Sequence, residues 1–306
     1  MGDDMERAVA TVMRRIAVGA LAAGFAAAAL AAGQARGAPQ LSADDIVAKN
    51  AAARGGLDAW RRVRTMYWAG HIQSEHAPMP TMQFVLQQER PNKTRFEIIS
   101  PGGKTVRVFD GTQGWKASAG HDGRPQARPF TIEEIRYAQD AQGIDGPLID
   151  HAAKGIAATL EGLDDIDGRK AYRLGLRLAS GETDRLWIDA TSFLDVRYDR
   201  NPAGAAGGVG RVISTRYRDY KTFDGLQFPS VIETGGGVPG SAPDRMVIET
   251  VVINPPLEKR AFANPAAAAG RRESQVAPRP PAATRGRVAA PDSAPAADVD
   301  ASSAPR

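Results

Sequence analysis

The segment from residue 211 to residue 234 reads RVISTRYRDYKTFDGLQFPSVIET. Its Asp224-Gly225 dipeptide separates two β-like runs, Arg211–Phe223 and Leu226–Thr234. An Asp-Gly pair between two such runs is a strong hairpin signal, because both residues tolerate the positive φ angles of a two-residue turn. The segment therefore predicts two antiparallel strands joined by a tight turn.

The same turn signal recurs along the chain. Five Asp-Gly dipeptides occur, beginning at residues 110, 122, 145, 167 and 224. Apolar side chains stand at alternate positions between them, as Met82, Phe84 and Leu86 do. Phe96 and Ile98 repeat this spacing in the next run. Because a period of two gives a strand one apolar face, these patterns predict one large, curved antiparallel sheet between residues 41 and 262.

A helical period precedes the strands. Ser42 is suited to cap a helix, with acidic residues in the first turn, where the helix dipole favours negative charge. The residues of one face, all apolar except Asn50, then recur at intervals of three and four from Ile46 to Trp60. Gly55 and Gly56 interrupt this pattern, and two glycines cost about 2 kcal/mol in a helix interior. We expect them to mark a break in the helix or a close approach of the helix to the sheet.

One further helical stretch lies between residues 130 and 154. Thr131 is a suitable cap, and Ile135 belongs to the apolar side of the helix that follows it. Asp145-Gly146-Pro147 breaks the pattern, and a short second helix is predicted from Leu148 onward. The stretch is too apolar to be a solvated loop, so we expect it to pack on the sheet.

An antiparallel sheet with one apolar face has to cover that face. Two short helical stretches cannot cover so long a sheet in full contact. The predicted fold class is therefore mainly β (α+β): a curved antiparallel sheet, an N-terminal helix and a helical lid over an apolar cavity. In the alternative, side chains such as Trp68 and Trp115 fill an ordinary core, and the periodicity does not decide between the two.

Residues that carry catalytic or metal-binding chemistry are scarce. The chain has no cysteine, which excludes disulfides, a thiolate nucleophile and thiolate metal sites. Among the four histidines, His71 and His76 have an odd spacing that places them on opposite faces of a strand. The sequence contains neither a Gly-x-Ser-x-Gly elbow nor a Gly-Lys-Ser/Thr phosphate loop. We expect no catalytic residue, no metal and no cofactor. An unrecognised hydrolase is the alternative, since catalytic groups need not be close in sequence.

The two ends of the chain differ from the middle in composition. Arg14-Arg15 precede an apolar run from Ile16 to Ala32, which is typical of a secretory signal peptide over residues 1–38. The run is close to the shortest bilayer span, so an uncleaved anchor is the alternative. Without cysteine there is no residue for a lipid anchor, and we expect a soluble periplasmic protein. Residues 265–306 are rich in Ala, Pro and Arg and predict a disordered tail, which leaves residues 39–264 as the folded domain.

Three short motifs stand out in this central domain. The first is the run Ala53–Trp60, followed by Val63-Arg64-Thr65-Met66 and Gly70. The second is Leu186-Trp187-Ile188-Asp189, and the third is Tyr217-x-x-Tyr220 followed by Asp224-Gly225-Leu226-Gln227-Phe228-Pro229. In this order and spacing they resemble LolA-like domains, the periplasmic lipoprotein carriers and their relatives, which are also labelled outer-membrane lipoprotein-sorting proteins. The resemblance covers roughly residues 42–262.

This resemblance implies an incomplete β-barrel with a helical lid and a cavity that takes acyl chains or other lipids, without a cofactor. We therefore expect a non-catalytic periplasmic carrier whose partner is a lipid or an acylated protein. The residues expected to line the cavity are Trp68, Phe84, Leu86, Phe96, Ile98, Trp115, Ile135 and Leu148. An envelope sensor or protein-binding module on the same fold is the alternative, with an envelope or membrane protein as partner. The net charge is only +4 and no basic stripe with interleaved aromatic residues occurs, so nucleic acid is not an expected partner.

Overall fold

The computed structural model describes residues 41–77, 79–119, 125–141, 143–200, 212–236 and 241–266. The predicted signal peptide lies outside these residues, and so does the predicted tail apart from its first two residues. None of the helices within these ranges is long and apolar enough to cross a membrane.

Thirteen strands and three helices make up the described part of the chain. The strands are β1 (Thr65–Gln73), β2 (Thr81–Glu89), β3 (Lys93–Ser100), β4 (Gly103–Phe109), β5 (Gly114–Ala119), β6 (Pro125–Pro129), β7 (Ala157–Ile166), β8 (Arg169–Arg177), β9 (Thr183–Asp189), β10 (Asp195–Arg200), β11 (Ile213–Phe223), β12 (Leu226–Gly235) and β13 (Asp244–Ile253). The helices are α1 (Ala43–Ala53), α2 (Leu57–Arg62) and α3 (Ile132–Asp140).

All thirteen strands belong to one antiparallel sheet, in the order β6-β5-β4-β3-β2-β1-β13-β12-β11-β10-β9-β8-β7. The chain runs outward from β1 to β6, which we call the first wing. It then passes through α3 to β7 at the opposite edge and returns through the second wing, β7 to β13, until β13 pairs with β1. Within the described residues the edge strands β6 and β7 are not paired with each other. The predicted mainly-β fold, a curved sheet that forms an incomplete barrel, is confirmed.

The Asp-Gly turns form as the sequence predicts. Asp224 and Gly225, between β11 and β12, have φ angles of 47° and 81°. Asp167 and Gly168, between β7 and β8, have φ angles of 51° and 78°. Two consecutive positive φ angles are what a type I′ hairpin turn requires, because its twist matches that of the flanking strands. The dipeptide that begins at residue 122 lies outside the described residues.

The N-terminal helical region contains both a break and a close approach. Ser42 caps α1 through a capping box, in which its side chain accepts a hydrogen bond from the Asp45 backbone N–H at 3.1 Å. The helix ends at Ala53, and α2 begins after Gly55 and Gly56, whose φ angles are 109° and 96°. A Cβ atom on Gly55 would lie only 2.4 Å from the carbonyl oxygen of Gly225. Both expectations for this glycine pair are therefore confirmed.

The stretch after α3 differs from its prediction. Thr131 caps α3, as expected. The short second helix predicted from Leu148 onward is wrong, because residues 143–155 form consecutive turns instead. Asp150 has a φ angle of 51°, and Gly146 and Gly155 have φ angles of 70° and 71°. A right-handed helix cannot pass through residues with positive φ, so the chain turns repeatedly without forming one.

The apolar core is divided into two main clusters. In one, Trp60 of α2 packs with buried residues of strands near the β1–β13 junction, such as Phe84 and Phe228. In the other, Ile46 and Val47 of α1 pack against the second wing. The two N-terminal helices thus cover part of the sheet.

Candidate functional site

A cavity of about 330 Å³ lies between α3 and the concave face of the sheet. Strands of both wings contribute to its wall, together with α3 and the turns that follow it. Most of the wall is aromatic or aliphatic. These apolar lining residues are Trp60, Trp68, Leu86, Phe96, Val108, Phe109, Phe130, Ile144, Leu186, Ile213, Phe228, Ile232 and Met246. The protein therefore has a cavity in addition to its packed clusters.

Three of the predicted lining residues, Trp68, Leu86 and Phe96, lie at the cavity wall. Leu86 of β2 and Phe96 of β3 are direct cross-strand partners, and Leu86 also faces Trp68 of β1. The register thus brings these three side chains together on neighbouring strands. Their contact with a ligand stays a prediction.

The other five predicted residues lie elsewhere in the fold. Phe84 and Ile98 are buried in the first cluster. Each lies two residues along its strand from a cavity residue, Leu86 or Phe96, on the same face of the sheet. Trp115 packs against a small separate cluster, and Leu148 is buried in the second cluster beneath α1. Ile135 is half-buried on α3 and is not part of the cavity wall.

Phe228 is the centre of the aromatic wall and was not predicted as a lining residue. Its ring centroid lies 5.2 Å from that of Trp60 and 5.8 Å from that of Trp68, both in edge-to-face geometry. Such pairs are favourable beyond the area they bury, because the positive ring edge meets the negative ring face. Phe228 is the third residue of β12 and belongs to the third sequence motif. That motif was the only signal in the sequence that could have pointed to it.

A second part of the wall is polar and comes from β10 and β11. Tyr217 and Tyr220 both line the cavity, although residues three apart on a regular strand face opposite sides. Asp219 between them has a φ angle of 54°, and its backbone oxygen accepts a hydrogen bond from Ser230 Oγ at 2.6 Å. This left-handed residue interrupts the alternation, so both tyrosines point to the cavity.

Burial keeps these tyrosines protonated. It raises the pKa of Tyr217 to about 12, and it raises the pKa of Tyr198 and Tyr220 well above their ordinary value. Tyr198 donates its hydroxyl hydrogen to Asp184 Oδ2 at 2.6 Å. Burial also raises the pKa of Asp195, another lining residue. The tyrosine hydroxyl groups on this side of the cavity are therefore uncharged at neutral pH.

Polar contacts attach α3 to both wings. Glu134 accepts hydrogen bonds from Arg107 of β4 at 3.1 Å and from Lys116 of β5 at 3.0 Å. On the other side, Arg200 of β10 donates to the hydroxyl group of Tyr137. Asn92, between β2 and β3, donates to the backbone oxygen of Ala138 at 2.9 Å. The helix thus spans the open side of the half-barrel and is tied at each end.

Glu134→Gln is expected to increase the hydrogen-exchange rate of the α3 amides by about tenfold. The change removes the negative charge that Arg107 and Lys116 share, and hydrogen bonds to charged groups contribute about 1.5–3 kcal/mol. Hydrogen exchange followed by mass spectrometry measures this opening directly. Glu133→Gln is the matched control, since Glu133 is an exposed neighbour on the same turn. Equal acceleration in both variants would show that the two cations do not hold α3.

The attachment of α3 is expected to weaken in acid. Burial alone would raise the pKa of Glu134, but the Thr131 backbone N–H, Arg107 and Lys116 together bring it below the ordinary value of 4.5. A carboxylate with a lowered folded-state pKa contributes stability that is complete above its ordinary pKa and is lost as the pH falls through the folded value. Burial raises the pKa of Asp140, at the other end of α3. Protonation of Asp140 as the pH falls therefore favours the folded state, opposite to the effect of Glu134. The hydrogen-exchange rates of the α3 amides in the wild type and in Glu134→Gln, compared at each pH below about 4.5, isolate the contribution of Glu134.

The histidines lie outside the cavity wall in the described part of the chain. His71 Nδ1 is 2.7 Å from Glu249 Oε1, His76 Nε2 is 3.1 Å from the Ala242 backbone oxygen, and His151 Nδ1 is 3.0 Å from the Ile156 backbone oxygen. His121 is not among the described residues. Over the described ranges, no group of three or more His, Cys, Asp or Glu residues is arranged to hold a metal ion.

The fold is similar to several solved structures. No protein-family model matches the sequence, and no curated protein matches it. A LolA superfamily protein from Nitrosomonas europaea is 13% identical with a TM-score of 0.49, over 74% of this chain and 99% of that chain. A DUF1329 family protein from Desulfovibrio piger is 12% identical with a TM-score of 0.46, over 72% of this chain and 96% of that chain. A domain from Vibrio parahaemolyticus with a suggested role in outer membrane lipoprotein sorting is 9% identical with a TM-score of 0.46, over 72% of this chain and 95% of that chain. These structures include the family that the sequence motifs resemble, but at such TM-scores and identities they carry no information about ligand or activity.

Proposed function

We propose that the protein is a periplasmic carrier that holds one acyl chain, from a lipid or from an acylated protein, in the cavity beneath α3. The observation that carries this proposal is the wall of aromatic and aliphatic side chains around about 330 Å³ of space. Ligand cavities in proteins usually enclose about 300–1,000 Å³. A cavity at the lower end of that range suits a single chain better than several.

An apolar wall binds such a chain without directional bonds. Removing methylene groups from water contributes about 0.8 kcal/mol for each group. A chain of about ten buried methylenes therefore gains roughly 8 kcal/mol, from which the cost of association is subtracted. The net affinity is moderate, which is what a carrier needs in order to release its cargo.

The packing of α3 supports a role as a movable cover. None of its residues is fully buried, and Ile132 at its first position is 66% exposed. Polar ties to the wings, rather than a buried apolar face, therefore hold it in place. A cover held in this way can have two positions of similar energy, and a ligand shifts the balance between them.

The cellular setting of the proposal comes from the sequence. The predicted signal peptide directs the chain to the periplasm, and the absence of cysteine leaves no residue for a lipid anchor. An acyl chain that crosses this aqueous compartment needs a protein that shields it from water.

Native mass spectrometry of the protein purified from cells tests the proposal. We expect adducts whose masses correspond to one lipid or one acylated peptide per protein, and loss of these adducts after extraction with organic solvent. A protein that is always empty, fails to take up a fluorescent fatty acid and co-purifies with one stoichiometric envelope protein would overturn the proposal in favour of a sensor or protein-binding module.

Ala138→Phe is expected to weaken the binding of a dansyl-labelled fatty acid at least tenfold. Ala138 lines the cavity from α3, so a phenyl ring at this position occupies space that the chain would use. The change in dansyl fluorescence on titration measures the affinity. Gln139→Phe is the matched control, because this neighbour is exposed and places the same ring outside the cavity. Equal affinities for the two variants, with unchanged thermal stability, would exclude the cavity as the binding site.

A further inference from the structure

Arg200 is a charged residue of the cavity wall that forms no ion pair within the described ranges. Three arginines and two carboxylates line the cavity. Arg107 is paired with Glu134, and Arg54 donates to the backbone oxygen of Asp145 at 2.9 Å and stacks on Trp60. Unlike Arg107, Arg200 has no carboxylate partner among the residues that the structure describes. The flanking segment 201–211 contains no Asp or Glu in its sequence.

The contacts of Arg200 leave most of its donors unused. Its guanidinium group lies 5.0 Å from the ring centroids of both Tyr137 and Tyr198, so it contacts two aromatic rings. It donates one hydrogen bond, to the Tyr137 hydroxyl group. A guanidinium has five N–H donors, and within the described ranges no other protein acceptor contacts it. Burial lowers the pKa of Arg200, yet an arginine keeps its charge at neutral pH.

Two hydroxyl groups lie on the strand beside Arg200. Thr215 and Tyr217 of β11 both line the cavity, and the β10–β11 register pairs Tyr198 with Thr215 and Arg200 with Ile213. In the described part of the chain neither hydroxyl has a hydrogen-bond partner. The pKa of Tyr217 is about 12, so its hydroxyl group is a donor at neutral pH. A cation and two hydroxyl donors thus face the same apolar cavity from adjacent strands.

We propose that Arg200, Thr215 and Tyr217 form a subsite for the anionic head group of an amphiphile whose chain lies against the aromatic wall. This inference rests on the proposed function, since it names the class of ligand that the same cavity takes. A carboxylate and a phosphate monoester share the required chemistry: an oxygen anion that accepts from a guanidinium fork and from hydroxyl groups. A buried cation loses its hydration, which is unfavourable unless an anion pairs with it. An anionic head group at this position would supply that pairing.

The position of the subsite also connects the ligand with α3. The guanidinium that would hold the head group is the one that donates to Tyr137 of α3. An anion at Arg200 therefore changes the charge at one of the ties that attach α3 to the second wing. Binding of an anionic amphiphile at Arg200 is therefore expected to alter how firmly α3 is attached to the second wing.

The test compares three ligands with the same twelve-carbon chain: dodecanoate, dodecyl phosphate and dodecanol. Each is titrated against protein loaded with the neutral fluorescent probe N-phenyl-1-naphthylamine, and displacement gives the affinity. We expect the wild type to bind at least one anion about tenfold or more tighter than dodecanol, and the better anion identifies the head group. Equal affinity for all three ligands would overturn the subsite while leaving the carrier proposal intact. A protein that binds neither probe nor ligand would overturn both.

Two variants test whether the subsite residues cause the preference for the anionic ligand. Arg200→Gln is expected to lose the tenfold preference for the anion and to bind dodecanol within about twofold of the wild type. Tyr217→Phe keeps the ring and is expected to weaken only the anion, about threefold. Arg216→Gln is the matched control, because Arg216 pairs with Asp167 and is not part of the cavity wall. Equal losses for the anions and dodecanol in both subsite variants, or loss of the preference in the control, would contradict the assignment.

Discussion

Asp145→Asn is expected to lower the free energy of unfolding by about 3–5 kcal/mol, the usual cost of leaving a buried ion pair without one partner. The Asp145 side chain is only 4% exposed, and it accepts from Arg90 Nη2 at 2.6 Å and from Lys154 Nζ at 2.5 Å. The Lys154 side chain is only 15% exposed, and this burial lowers the pKa of its ammonium group. Asparagine fits the same space but leaves both cations without their counter-charge.

Urea denaturation followed by tryptophan fluorescence measures this loss. Asp150→Asn is the control, because Asp150 is paired with the half-exposed Arg61 at 2.6 Å, and surface pairs contribute only about 0–1 kcal/mol. Asparagine also tolerates the positive φ angle at this position. If the two variants lose equal stability, Asp145 is not the residue that stabilises this region.

Gly55→Ala is expected to lower the free energy of unfolding by about 4 kcal/mol, which is among the largest effects of single substitutions. A Cβ atom at this position would lie 2.4 Å from the Gly225 backbone oxygen and 2.9 Å from a methyl carbon of Leu226. The φ angle of 109° adds backbone strain for any side chain. The corner between α1 and α2 would have to move away from the β11–β12 turn.

Gly56→Ala separates these two contributions. Gly56 has a similar φ angle, 96°, but a Cβ atom there meets no heavy atom within 4 Å. We therefore expect only the cost of backbone strain, about 1–3 kcal/mol. Thermal and urea unfolding of both variants give the difference. Equal losses would mean that the close approach of helix and turn does not contribute to stability.

Local signals predicted most of the fold. Asp224-Gly225 specifies its turn through the φ preferences of two residues, and Ser42 specifies its helix start through a capping box with Asp45. Neither depends on distant parts of the chain. The second helix after α3 was predicted wrongly because Asp150 adopts a positive φ angle that its sequence neighbours do not reveal.

The cavity could be predicted only in part. Alternation identifies the apolar face of β2, but it does not show that Leu86 reaches the cavity while Phe84 is buried in the core. The polar wall depends on contacts that sequence patterns do not encode. Tyr217 and Tyr220 share a face because Asp219 interrupts the strand, and Arg200 reaches the cavity through the β10–β11 register.

The pairing of β1 with β13 has a consequence for how the chain folds. In the described sheet every other pair of neighbours joins strands that are consecutive in the chain, so each wing can form from successive hairpins. The junction alone brings together distant residues, such as Met66 and Ile253. Non-local pairing is slow, because the entropy of closing a long loop is lost before the stabilising contacts form. We therefore expect the junction to limit the folding rate and the cavity to exist only after the final strand has been incorporated.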